Sequence, residues 1–148
     1  MKAIMPIILV FTFFLSACGN ESQISPNSDE SVVIIDEERS LINFHVLLEN
    51  ENRKKVGPLY AKFIIYDETL QEAIGTESTV DFAYTNGEKQ PFYIDANKSY
   101  FISESFVYNA EIDQEELVNK VEVVISDENE MEILQFLISN IEKYEATQ

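Results

Sequence analysis

The chain has one cysteine, no tryptophan, one histidine, four glycines and four prolines in 148 residues. A single thiol excludes an intrachain disulfide and a cysteine-built metal site, so an apolar core alone must hold the fold. The one histidine, His45, has no cysteine beside it to serve as nucleophile, and a catalytic or zinc role needs partners that converge on it. The chain carries no GxGxxG dinucleotide loop, no Walker-type Gly-Lys and no GxSxG elbow. Basic residues are scarce: ten Lys and Arg stand against 27 Asp and Glu, for a net charge of −17. That balance argues against nucleic acid, where neutralised phosphates drive affinity, and against lying flat on an anionic bilayer. The acidic domain is expected to stand off the membrane and stay soluble; an acidic surface can also attract basic partners or calcium, but most such charge is a solvated face.

Long apolar stretches are confined to the start. One cation, Lys2, precedes an apolar run over residues 4–15, which falls short of the roughly 20 residues of a membrane span. A charged start, a short apolar middle and small residues before a cut are the layout of an export signal. The run ends in Leu15-Ser16-Ala17-Cys18, which resembles a bacterial lipobox. The resemblance implies cleavage before Cys18 and a diacylglycerol thioether on its sulfur. Two acyl chains anchor stably where one holds only marginally. The other readings are an ordinary secretory signal cut after Ala17 and an uncleaved helix. Residues 1–17 are thus expected to be a lipoprotein signal peptide. Their removal takes away one cation, Lys2, and leaves 131 of the 148 residues, a length that suits one domain.

Residues 18–31 are expected to be the lipidated cysteine and a flexible tether, because this stretch is rich in Ser, Asn and acidic residues, holds Pro26 and has no apolar period. From Val32 onward short apolar runs alternate with polar turns. The pattern predicts strands over 32–35, 41–48, 59–67, 79–85, 88–94, 99–108 and 118–126. In the second, Ile42, Phe44, Val46 and Leu48 share one face and Asn43, His45 and Glu49 the other. In the third, Leu59, Ala61, Phe63 and Ile65 oppose Tyr60, Lys62, Ile64 and Tyr66. Asn86-Gly87 suits a two-residue hairpin turn, and Pro91 suits an edge strand. Glu104 interrupts an apolar face formed by Tyr100, Ile102 and Phe106, so a bulge or exposure is expected there. Residues 131–144 fit a helix by the spacing of Leu134, Leu137, Ile138 and Ile141. They also fit a strand by the alternation of Leu134, Phe136 and Ile138, and the strand is preferred because it returns beside residues 118–126.

Seven to eight short strands over residues 32–148, without βαβ alternation, predict an all-β, antiparallel sandwich. At Phe63-Ile64-Ile65-Tyr66-Asp67 the sequence is similar to the FxLYD-type immunoglobulin-like domains of bacterial exported proteins, with Ile65 in the place of the Leu. The upstream stretch from Val46 to Asn52 is similar to the Asn-ending strand that precedes that motif. The resemblance implies an immunoglobulin-like fold, with Phe63 and Ile65 in the core and Tyr66 and Asp67 closing the strand. It implies no catalytic residues.

Acidic residues gather in turns, at Asp36-Glu37-Glu38, at Asp113 with Glu115 and Glu116, and at Asp127-Glu128 with Glu130. None matches the twelve-residue calcium loop, and turns are where solvated charge belongs. The outward stripe Tyr60, Lys62, Ile64 and Tyr66 is the candidate partner surface. The expectation is a lipid-anchored, extracytoplasmic, non-enzymatic module, held at the bacterial cell membrane, that contacts another envelope or secreted protein. It needs no metal or cofactor. A small-ligand or calcium-binding envelope domain is the alternative.

Overall fold

The computed structural model describes residues 24–83, 86–89 and 91–145. The signal peptide, Cys18, Tyr84 and the end of the strand expected over 79–85 lie outside the described residues. Among the described residues nine strands form two sheets. They are β1 (Ser25–Asp36), β2 (Leu41–Asn50), β3 (Val56–Ile65), β4 (Thr79–Asp81), β5 (Phe92–Ile94), β6 (Lys98–Val107), β7 (Val121–Ser126), β8 (Glu132–Leu137) and β9 (Asn140–Tyr144). One sheet runs β6-β2-β1-β9; the other runs β4-β3-β7-β8, with β5 also on β3. With β1, β2 and β6 as strands A, B and E, and β3, β7 and β8 as C, F and G, this is an immunoglobulin-type arrangement. All of these pairs are antiparallel except β1 with β9.

Alternation builds the core. Ile42, Phe44, Val46 and Leu48 of β2 are buried, and so are Leu59, Ala61, Phe63 and Ile65 of β3. Phe44 and Phe63 meet across the two sheets with ring centroids 5.4 Å apart, and Phe106 adds a third ring 5.2 Å from Phe44. Residues 131–144 are strand. Their chain first pairs with β7 as β8, then turns inward at the buried Ile138 and crosses to the other sheet as β9, beside β1.

The tether expectation needs correction at residues 25–31, which belong to β1. Ser25, Pro26 and Asn27 pair with Glu49, Leu48 and Leu47, and Ile24 is buried at 2% exposure. The polar residues serve a register shift between Asn27 and Val32. Ser31 Oγ donates to Asn27 O and accepts from Leu47 N, while Asn140 Nδ2 donates to the carbonyls of Ser28 and Ser31. Their hydrogen-bonding capacity is spent on the bulge rather than on solvating a free segment.

Of the hairpin expected around Asn86-Gly87, Tyr84, Thr85 and Gln90 lie outside the described residues; among the described residues β4 and β5 each pair with β3. The register steps from Phe63↔Val80 to Leu59↔Phe92, so four residues of β3 face twelve of its partner. β4 pairs with Lys62, Phe63 and Ile64 of β3, and β5 pairs with Val56 and Leu59 of the same strand. A helix, α1 (Glu68–Ile74), follows β3 where no element was expected. Asp67 caps it by accepting from Leu70 N, Gly75 ends it at φ 67°, and Leu70, Ala73 and Ile74 turn inward. The connection around Asp113 to Glu116 holds one 3-10 turn, Glu115–Leu117.

Candidate functional site

The stripe Tyr60, Lys62, Ile64 and Tyr66 lies on the outer face of the β4-β3-β7-β8 sheet, as the alternation of β3 requires. Its own neighbours cover much of it. Lys62 Nζ is 3.6 Å from Glu132 Oε1, and Lys89 Nζ lies 5.5 Å from the Tyr60 ring centroid while pairing with Asp81 at 3.3 Å. Tyr60, Lys62 and Ile64 are half-buried, and of the four only Tyr66 is exposed, at 55%. Tyr66 Oη donates to Glu122 Oε2 at 2.6 Å, and that accepting carboxylate raises the phenol above its usual range, so it remains a donor.

The other sheet presents an outer face that alternation did not single out. His45, Leu47 and Leu41 of β2 lie beside Ser103, Phe101 and Val107 of β6, with Val32 and Ile34 of β1 behind them. Phe101 is 47% exposed and its ring centroid lies 3.9 Å from that of His45. His45 is half-buried, and its Nδ1 has no hydrogen-bond partner among the described residues. Burial lowers its pKa, and Glu142 opposes that shift. The signal for this face was present in the sequence: Leu41 and Leu47 occupy outward positions of β2, and Phe101 and Val107 occupy outward positions of the strand that pairs with it.

Glu104 shows neither the bulge nor the full exposure expected of it. The β2–β6 register runs without a break, with Glu104 opposite Phe44. The carboxylate is half-buried on the inner face and accepts from Ala83 N at 3.0 Å. Burial raises its pKa and the Ala83 N–H partly offsets that. The folded state thus holds this proton to a higher pH than the unfolded chain. Stability falls as pH rises from the ordinary carboxylate range through the folded pKa. Glu104→Gln keeps an acceptor for Ala83 and removes the charge. Its urea midpoint is expected to match the wild type at low pH and to exceed it at pH 7. The gain should be under about 1 kcal/mol, because solvent still screens the group. Equal midpoints at both pH values would contradict this role for Glu104.

The acidic turns do not converge. Among the described residues no three His, Cys, Asp or Glu side chains form a group that could hold a metal ion. A recess of about 740 Å3 at the α1 end is lined by Asp67, Glu111, Asp113, Glu115, Glu116 and Glu145, together with Lys143. Among the described residues no helix is long and apolar enough to cross a membrane.

Neither a family model nor a curated protein matches the chain. Among solved structures, the ligand-binding region of serine-glutamate repeat protein A of Enterococcus faecium aligns at 15% identity over 83% of this chain and 98% of its own, with a TM-score of 0.43. An alkylpurine DNA glycosylase of Pseudomonas fluorescens aligns at 12% identity over 82% of this chain, with a TM-score of 0.42. An exo-β-N-acetylglucosaminidase of Vibrio harveyi aligns at 14% identity over 83% of this chain, with a TM-score of 0.40. The chain spans 31% of the glycosylase and 18% of the glucosaminidase. The fold rests on the two sheets of the chain itself, which form an all-β sandwich.

Proposed function

We propose that this protein is a lipid-anchored, extracytoplasmic binding module that contacts another envelope or secreted protein and carries out no catalytic step. The observation that carries the reading is Leu15-Ser16-Ala17-Cys18 at the end of a short apolar run, followed within seven residues by the first strand of a sandwich. A diacylglycerol on Cys18 supplies the two chains that stable anchoring requires. The similarity of residues 63–67 to FxLYD-type domains of exported proteins supports the same address. Exposed aromatics on sheet faces support a protein partner: Tyr66 on one sheet, Phe101 and Tyr144 on the other. The stripe Tyr60, Lys62, Ile64 and Tyr66 is one contact surface in this reading, with Tyr66 its accessible end.

Replacing Cys18 by alanine tests the address. The wild type is expected in the membrane fraction with a diacylglyceryl mass on its N-terminal cysteine, and the variant in the soluble extracytoplasmic fraction. Retention of Cys18→Ala in membranes, or an unmodified mature N-terminus on the wild type, would remove the proposal.

A further inference from the structure

Cations are rare in this chain, and most are already paired. Among the described residues, Arg39 pairs with Asp36, Lys55 with Asp95, Lys62 with Glu132, Lys89 with Asp81 and Lys143 with Glu37. Arg53, Lys54, Lys98 and Lys120 have no ion-pair partner among the described residues. Three of these four sit together although 45 positions separate Arg53 from Lys98 in sequence. Arg53 and Lys54 are in the loop between β2 and β3; Lys98 opens β6 after the turn that follows β5. Asn50 binds the two segments to each other. Its Nδ2 donates to the carbonyls of Lys54, Ile94 and Asp95, and Asn97 N donates to Asn52 O.

This basic tip lies at the end of the sandwich where β1 begins, because Ser25 is opposite Glu49 and Glu49 is opposite Ser99. In the anchored reading, seven residues lead from Cys18 to Ser25, a reach of at most about 25 Å. The cations at the tip therefore come close to the headgroups, where screening over roughly 8 Å still leaves their attraction effective. Tyr93 is exposed near the same tip, with Lys55 Nζ 5.2 Å from its ring centroid, and tyrosine suits a membrane–water boundary. Acidic groups near the tip are of two kinds. Asp95 is paired with Lys55 at 3.2 Å, whereas Glu49 accepts from the neutral amide of Asn27 and Glu51 is exposed, neither with an ion-pair partner among the described residues. The acidic 127–131 turn is at the same end of the sandwich, and β7, which leads into it, stops opposite Tyr60, four residues short of the start of β3. The acidic recess around Asp67, Glu111 and Glu115 is at the opposite end and is repelled by the same surface.

We infer that the Arg53, Lys54, Lys98 tip docks on the anionic lipid headgroups of the membrane that holds the anchor, so that the domain stands end-on with its acidic end outward. The inference rests on the anchored reading of Cys18. It deepens the charge argument against lying flat: the net charge opposes a side-on pose, and the asymmetry of that charge selects one end.

The test uses the full lipidated chain in vesicles. With the Cys18 sulfur carrying lipid, an introduced cysteine is the one reactive thiol, so Glu51→Cys at the tip and Glu38→Cys at the far end each take one environment-sensitive nitrobenzoxadiazole label. In vesicles with about one third phosphatidylglycerol the label at 51 is expected to blue-shift and brighten relative to pure phosphatidylcholine, while the label at 38 stays in water. Each of Arg53→Gln, Lys54→Gln and Lys98→Gln should lower the docked-to-free ratio by up to about fivefold, and 0.5 M salt should abolish the response. An anchored chain whose label at 51 reads water in both lipids, or whose two labels respond alike, overturns the docking and leaves the anchor standing. A chain that leaves the vesicles and lacks the diacylglyceryl mass overturns the anchor, and the docking falls with it.

Discussion

Replacing Phe44 by alanine is expected to cost the domain about 3–5 kcal/mol, read as a lower urea midpoint at unchanged slope. Phe44 is fully buried and joins the two layers: it sits on β2 and meets Phe63 of the opposite sheet and Phe106 of its own. No disulfide is available to the chain, so nothing covalent offsets the loss. Domains of this kind are stable by only about 5–15 kcal/mol, so the variant would stand near the edge of folding. Phe44→Leu fills most of the volume and should recover more than half of the loss. A second readout ties the packing to the electrostatics. Glu104 is the cross-strand partner of Phe44, so loss of the ring opens a path for water and should draw the Glu104 pKa back toward its ordinary value. A cost below about 1.5 kcal/mol would mean that the two sheets do not depend on this contact.

The sandwich was legible where alternation is strict. β2 and β3 each show every second residue apolar, and those are the residues the core takes. Residues 131–144 were the harder case, because their spacing served two periods. The pairing with β7 decides it, since a strand there covers an edge that a helix would leave open. Short elements and non-local pairings were less legible. Helix α1 is only seven residues long, too short for a full apolar period, although its caps Asp67 and Gly75 stand in the sequence. Asp67 both closes β3 and caps α1, and the strand pattern leading up to it masks the second role. Asn86-Gly87 carries a turn signal, but a turn does not say which strand the segments before and after it will join; β4 and β5 both join β3. Polar residues 25–31 look like a tether to any compositional measure, yet Ser31 and Asn140 use their side chains to close a bulge.

The candidate surfaces divide the same way. The face on which Tyr60, Lys62, Ile64 and Tyr66 lie follows from periodicity. Their exposure does not, because the groups set against Tyr60 and Lys62, Lys89 and Glu132, come from segments distant in sequence. The basic tip was invisible as a unit for the same reason. Arg53 and Lys54 fall between the strands expected over 41–48 and 59–67, and Lys98 falls between those expected over 88–94 and 99–108. The residue that unites them is a buried asparagine, which composition assigns to the surface.

That asparagine carries the last prediction. Asn50 is 1% exposed and ends β2, and it makes four hydrogen bonds: Nδ2 to the carbonyls of Lys54, Ile94 and Asp95, and Oδ1 from the amide of Asn52. Alanine at this position removes all four and strands backbone groups beside a dry core, at a cost of about 3 kcal/mol. Asn50→Asp is the sharper variant. It keeps the acceptor for Asn52 but turns a double donor into a buried negative charge facing three carbonyl oxygens, so it is expected to be at least as damaging as alanine and to recover at acidic pH, where the carboxyl is neutral and again donates. Thermal melts at pH 4 and pH 7 check this: alanine should lose the same amount at both, and aspartate should lose less at pH 4. Hydrogen exchange gives the local counterpart, with faster exchange expected at Asn52 and Asn97, whose amides close the two loops. A small loss, below about 1 kcal/mol, with unchanged exchange would mean that the loops hold their shape without Asn50. The tip would then owe its three cations to chance proximity rather than to a built corner.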